Sequence, residues 1–188
     1  YDGLYNIRCD GKNDGSISML VLGGFGKYNY TWGTVDGSGV STHDPGQQGL
    51  TDGTYYVTIY DSVAGNHCFI SDTFELTQPE PIDMDTSLSE YNGFNISCND
   101  RNDGSITIKP TGGQGEYAYH WASDNGSGLN ENEGSQSGLS AGTYNLDIIY
   151  GGEYQCITSW EIELIQPDSL QTLPVLSDYN GYHVSCAE

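Results

Sequence analysis

Five cysteines and two matched Asn-Asp-Gly-Ser loops are the residues here with chemistry to offer. Cys9 and Cys68 stand 59 residues apart, Cys98 and Cys156 stand 58 apart, and Cys186 is left over. Neither pair has the C-x-x-C spacing of a metal centre, and no histidine recurs beside them. The matched spacing predicts two disulfides, Cys9–Cys68 and Cys98–Cys156, with Cys186 pairing outside the sequence. Closing a loop of that size is worth roughly 4 kcal/mol in the chain-entropy model. Such bonds belong in an oxidising compartment.

The loops offer carboxylates. Asp10, Asn13 and Asp14 in one, and Asp100, Asn102 and Asp103 in the other, set hard oxygens on a short stretch, which suits Ca²⁺. Lys12 and Arg101 fall where an EF-hand would place a ligand, so any such site is of another kind. The plainer reading is a hairpin turn, with Asp capping its own backbone and glycine supplying positive φ. No cofactor is required; calcium is the one ion the pattern suits.

Catalytic arrangements are harder to find. Histidines 43, 67, 120 and 183 share no common position, and no G-x-S-x-G, Walker, H-E-x-x-H or dinucleotide pattern occurs. "GGFGKY" lies between strand-like runs, so it lacks the helix N-terminus that would bind phosphate. The sequence reads as a non-enzyme.

What these residues share is a repeat. "CDGKNDGSIS" at 9–18 recurs as "CNDRNDGSIT" at 98–107, and "GGFGKYNYTW" at 23–32 as "GGQGEYAYHW" at 112–121. "GLTDGTYYVTIY" at 49–60 recurs as "GLSAGTYNLDII" at 138–149, and "FELTQP" at 74–79 as "IELIQP" at 162–167. The offset is 89, falling to 88 after the second cysteine. "YNGFNISC" (91–98) returns as "YNGYHVSC" (179–186), so Cys186 is the first cysteine of a third copy.

Apolar residues alternate at period two: Ile17, Met19, Val21; Tyr28, Tyr30, Trp32; Tyr55, Val57, Ile59; and their counterparts 89 residues on. Ile82, Met84 and Leu88, then Leu170 and Leu176, mark a leading strand before a cysteine string. The pattern predicts an all-β fold of tandem immunoglobulin-like β-sandwich repeats of about 88 residues, roughly seven strands each. Trp32 and Trp121 read as core plugs against a disulfide. Residues 1–79 form the first repeat without its leading strand, 80–167 the second, and 168–188 open a truncated third.

Five Lys+Arg against 26 Asp+Glu give a formal charge of −21. That balance excludes a phosphate-backbone partner, so no nucleic acid is expected, and it disfavours an anionic membrane surface. No apolar run long enough to span a bilayer is present, so no direct membrane insertion is expected. There is no initiating Met, signal peptide or anchor, and the sequence reads as a mature stretch of something longer.

The string Cys-x-x-x-Asn-Asp-Gly-Ser-Ile, then Gly-Gly-x-Gly-x-Tyr-x-Tyr-x-Trp, Leu-x-x-Gly-Thr-Tyr, Cys and Gln-Pro resembles the SprB-type repeat of Bacteroidota cell-surface, gliding-type adhesins. One departure is Asp61-Ser62-Val63, where the second copy has Tyr150-Gly151-Gly152. The resemblance implies an extracellular, surface-displayed array without catalytic residues, whose partners are neighbouring repeats or copies of itself. It also implies that Asp61-Ser62-Val63 and Asp168-Ser169-Leu170 suit O-glycosylation at Ser62 and Ser169; Asn29, Asn95 and Asn125 would be acceptors under the Asn-x-Ser/Thr rule. Two functions then compete. One is a structural segment of a filament, stalk or giant adhesin; the other is a repeated carbohydrate- or protein-binding module. Core and turn positions recur while "TVDGSGVSTHDPGQQ" and "ASDNGSGLNENEGSQS" diverge, which favours the structural role.

Overall fold

The computed structural model describes residues 4–63, 68–178, 181 and 183. Alternation becomes strand as the sequence predicts, except that Met19 and Val21 fall beyond β1 and the leading strand expected at Leu170 and Leu176 does not form: 18–22 and 165–178 are irregular. The first repeat holds β1 (Gly15–Ile17), β2 (Tyr28–Thr34), β3 (Gln47–Leu50), β4 (Gly53–Asp61) and β5 (Phe69–Leu76). The second holds β6 (Asp83–Leu88), β7 (Gly104–Thr111), β8 (Ala118–Ser123), β9 (Gln136–Leu139), β10 (Gly142–Tyr150) and β11 (Cys156–Leu164). One 3₁₀ turn, Gly152–Tyr154, is the only helical element among the described residues. No helix among them is long and apolar enough to cross a membrane.

The first repeat sets a two-stranded sheet against a three-stranded one, and the second sets two three-stranded sheets against each other. β1-β3 faces β2-β4-β5, and β6-β7-β9 faces β8-β10-β11, with antiparallel pairing throughout. The alternate residues Tyr144, Leu146 and Ile148 of β10 meet Ile106, Ile108 and Leu139 from the opposite sheet around Trp121. Tyr55, Val57 and Ile59 meet Ile17 and Leu50 around Trp32 in the same way. Strand numbers fall below the seven expected, because the long connections between β2 and β3 and between β8 and β9 stay irregular.

Two expectations about glycine and tryptophan change. Gly15 and Gly104 open strands rather than hairpin turns, and neither takes positive φ. Their need is closeness: a Cβ at Gly15 would lie 2.6 Å from Ile7 Cδ1 and 2.9 Å from the Leu50 carbonyl, with the same crowding at Gly104 from Ile96 and Leu139. Both tryptophans are core, but neither lies in the cluster around a disulfide. Their indole N–H groups donate instead to the carbonyls of Asp44 and Glu133, each at 2.8 Å.

Polar anchors fix the irregular connections. Gln47, 3% exposed, accepts from Ser41 N and donates to its carbonyl; Gln136 does the same with Asn130, all at 2.8 Å. The Tyr144 hydroxyl is 3.0 Å from the Ser127 carbonyl and 2.8 Å from that of Ser140, with no side-chain exposure. Tyr144→Phe strips both carbonyls of that donor. It is expected to cost about 1–3 kcal/mol, read as a lower urea midpoint with unchanged denaturant slope.

Candidate functional site: the junction between repeats

Chain direction decides where each cysteine lies. Asn6 and Ile7 donate from their backbone to the Thr77 carbonyl at 2.9 and 3.0 Å, and Gly11 N donates to Gln78 Oε1 at 2.8 Å. These bonds pin the Cys9 segment at the exit end of the first repeat. Cys68 lies at the other end, where its carbonyl accepts from Asp61 N at 3.0 Å. The eight residues of β5 between them span about 25 Å. A disulfide tolerates about 7 Å between Cα atoms, so the expected Cys9–Cys68 bond does not form, and by the same layout neither does Cys98–Cys156.

The structure bonds Cys9 to Cys156, across 147 residues and with Cα atoms 5.7 Å apart. The exit end of the first repeat meets the entry end of the second, where Cys156 starts β11 opposite Tyr150 of β10. Cys68 and Cys98 are free and exposed; Cys186 lies outside the described residues.

The bond sits in its own apolar cluster. Cys9, Tyr150 and Cys156 are buried together, with Ile82 and Tyr117 packed against them. Gly151 follows Tyr150 at φ 80, and a Cβ there would come within 3.0 Å of Cys156 Sγ. The connection between repeats is held on the same side: Gly113 N donates to the Glu80 carbonyl at 2.8 Å, and a Cβ on Gly112 would strike the Pro81 carbonyl. The Tyr150-Gly151-Gly152 departure thus marks the residues that build the junction. A cleft of about 590 Å³ opens beside it, with Arg8, Lys12 and Asp14 on its wall.

The loop carboxylates act as latches. Asp14 accepts from Arg8 N at 3.2 Å and pairs with the Arg8 guanidinium. Asp103 accepts from Ser97 N at 3.0 Å and from the Ser97 hydroxyl. Asp10 accepts from Gln78 Nε2 at 3.0 Å, and Asp100 N donates to Gln166 Oε1 at 2.9 Å; Asn13 and Asn102 are exposed. No group of three or more His, Cys, Asp or Glu side chains is placed to hold a metal ion among the described residues. The latch account predicts the same thermal midpoint with and without a calcium chelator.

The Ser97 hydroxyl, then the Ser97 backbone N–H, hold the Asp103 carboxyl below its ordinary value of 3.8. A depressed folded-state value means that the stabilisation is complete above the ordinary value and fades as pH falls through the lower one. Asp103→Asn is therefore expected to lower stability at pH 7, and the gap to wild type to narrow as pH falls below that ordinary value. Acid-unfolding curves of the two proteins check this.

The glycosylation candidates differ in access. Ser169 is exposed, whereas the Ser62 hydroxyl donates to the Lys27 carbonyl at 2.9 Å. Asn95 is engaged by Ser89 and Ile165, and Asn125 by Thr143.

Sequence reasoning missed Gln47, Gln136 and the cross-repeat bond. The glutamines carried a signal, since they recur at the 89-residue offset where the connections around them diverge. The family model for the SprB repeat matches residues 5–37 and 94–126, one segment in each copy. Among curated proteins, none matches the chain.

Proposed function

We propose that this chain, whose residues 5–37 and 94–126 match the family model for the SprB repeat, is a structural segment of an extracellular filament, stalk or giant adhesin displayed on the cell surface. The observation that carries this reading is the bond from Cys9 to Cys156. A covalent tie from one repeat to the next serves no single domain, but it stiffens and strengthens a row of them. Nearest-neighbour contacts govern such arrays, and here the neighbour contact is a disulfide in an apolar cluster.

The array is linear, since exit end meets entry end. A nine-residue strand such as β10 rises about 30 Å. Electron microscopy of native material should therefore show a thin filament with an axial repeat of about 30–40 Å, or twice that. Compact particles of uniform size would overturn the proposal.

A second reading draws on the glutamine clamps. They hold two divergent loops on matched frames, which suits a carbohydrate- or protein-binding surface that varies from repeat to repeat. Binding of a cell-surface glycan or protein that is lost on exchanging residues 35–46 for 124–135 would support it.

A further inference from the structure

We infer that the outward face of the β2-β4-β5 sheet binds a neutral polysaccharide, with the Tyr56 ring as its stacking platform. This gives the glycan-binding reading above a surface other than the clamped loops, and it does not depend on the array.

Three strands make the face. β4 alternates the buried Tyr55, Val57 and Ile59 with the outward Tyr56, Thr58 and Tyr60. Gly33 and Thr31 of β2 flank Tyr56 and Thr58 on one side, and Thr73 and Ser71 of β5 flank them on the other. The Thr58 and Ser71 hydroxyls are hydrogen-bonded at 3.0 Å. Tyr60 is braced by Phe69, with ring centroids 5.9 Å apart. Four residues of strand separate Tyr56 from Tyr60 by about 13 Å.

Tyr56 is placed to stack. Gly33 does not take positive φ, so no turn calls for a glycine there. Its need is room: a Cβ on Gly33 would strike Tyr56 Cζ, Oη and Cε2 together, so the ring lies broadside over bare backbone. One face of the ring rests on Gly33 and the other is open, and the residue is 47% exposed. An aromatic face is electron-rich and attracts the partly positive C–H groups of a sugar ring. The hydroxyls of Thr31, Thr58 and Ser71 beside it supply the few polar groups that orient such a ligand.

The second repeat is an internal control. Ala122 stands opposite Asn145 where Gly33 stands opposite Tyr56, so the sheet forms without the glycine–tyrosine pair. Asp147 and Glu161 replace Thr58 and Thr73 on the same face. This repeat also shows that a neighbour leaves the face open. The first repeat is bonded to its entry end, yet Asn145 is exposed, and Ile157, standing where Phe69 does, is 59% exposed.

Charge selects the occupant. The chain carries 26 Asp+Glu, but no charged side chain lies in the cross-strand rows of Tyr56, Thr58 and Tyr60. The first outward acid is Glu75, one row beyond Tyr56. A cationic ligand finds no partner in these rows, and an anionic one is repelled by a chain of formal charge −21. A neutral sugar polymer lying along β4 meets neither obstacle.

Native electrophoresis in gels containing hydroxyethyl cellulose, galactomannan or xyloglucan, with alginate as the acidic comparison, tests this. The whole chain should be retarded by at least one neutral polymer and not by alginate. Gly33→Ala with Tyr56→Asn, which copies the second repeat's pair, should keep the thermal midpoint and weaken binding about tenfold or more. Thr58→Asp should weaken it as well, whereas Tyr56→Phe should retain it. No retardation in any neutral gel, equal retardation by alginate, or unchanged binding by the double and Thr58→Asp variants would overturn the proposal. Exchanging residues 35–46 for 124–135 should leave binding intact; its loss would move the glycan to the clamped loops and overturn this face. Filaments or globules in native material decide the array reading separately, whichever way the gels fall.

Discussion

Stretched by its two ends, the oxidised chain is expected to stop about 500 Å short of the reduced chain. The Cys9–Cys156 bond removes 147 residues from the force path, at about 3.3–3.6 Å each when extended. In the layout expected from spacing alone, the two bonds would hide 59 and 58 residues, roughly 100 Å less. Single-molecule pulling of the Cys186→Ser chain, before and after reductant, separates the two lengths. The effect is functional as well as diagnostic. Pulled through Cys9 and Cys156, β1 to β10 sit inside the covalent loop and are shielded, while β11, which begins at Cys156, takes the load.

Trp121→Ala should be the costliest single side-chain truncation in the second repeat, at about 3–5 kcal/mol. Trp121 is 1% exposed at the centre of the core shared by both sheets, and its removal also strips the Glu133 carbonyl of a donor. Because the first repeat has its own core around Trp32, the loss should be local. Hydrogen exchange should accelerate in β8 and β10 while β2 and β4 keep their protection. Equal acceleration in both repeats would show that they fold as one unit.

Alternation made the strands legible. Tyr144, Leu146 and Ile148 face one way because a strand turns every second residue to the core, and the recurring copy confirms the period. The leading strand was legible for the same reason in Ile82, Met84 and Leu88. Cysteine pairing was not, since matched spacing within copies says nothing about which end of the sandwich a residue occupies. Cys9 is set by Asn6 and Ile7 on Thr77, and Cys68 by Asp61; those contacts come from the fold, not from the interval. The Asp-Gly pairs misled in a related way. Glycine looked chosen for a turn, whereas Gly15 and Gly104 are chosen for contact with Ile7 and Ile96.

Mass spectrometry of a non-reduced digest tests the central claim most directly. The account predicts one peptide pair joining Cys9 to Cys156, with Cys68 and Cys98 found free in the isolated chain. Peptides joining Cys9 to Cys68 and Cys98 to Cys156 would contradict it, because each repeat would then be stapled to itself and nothing covalent would tie one to the next.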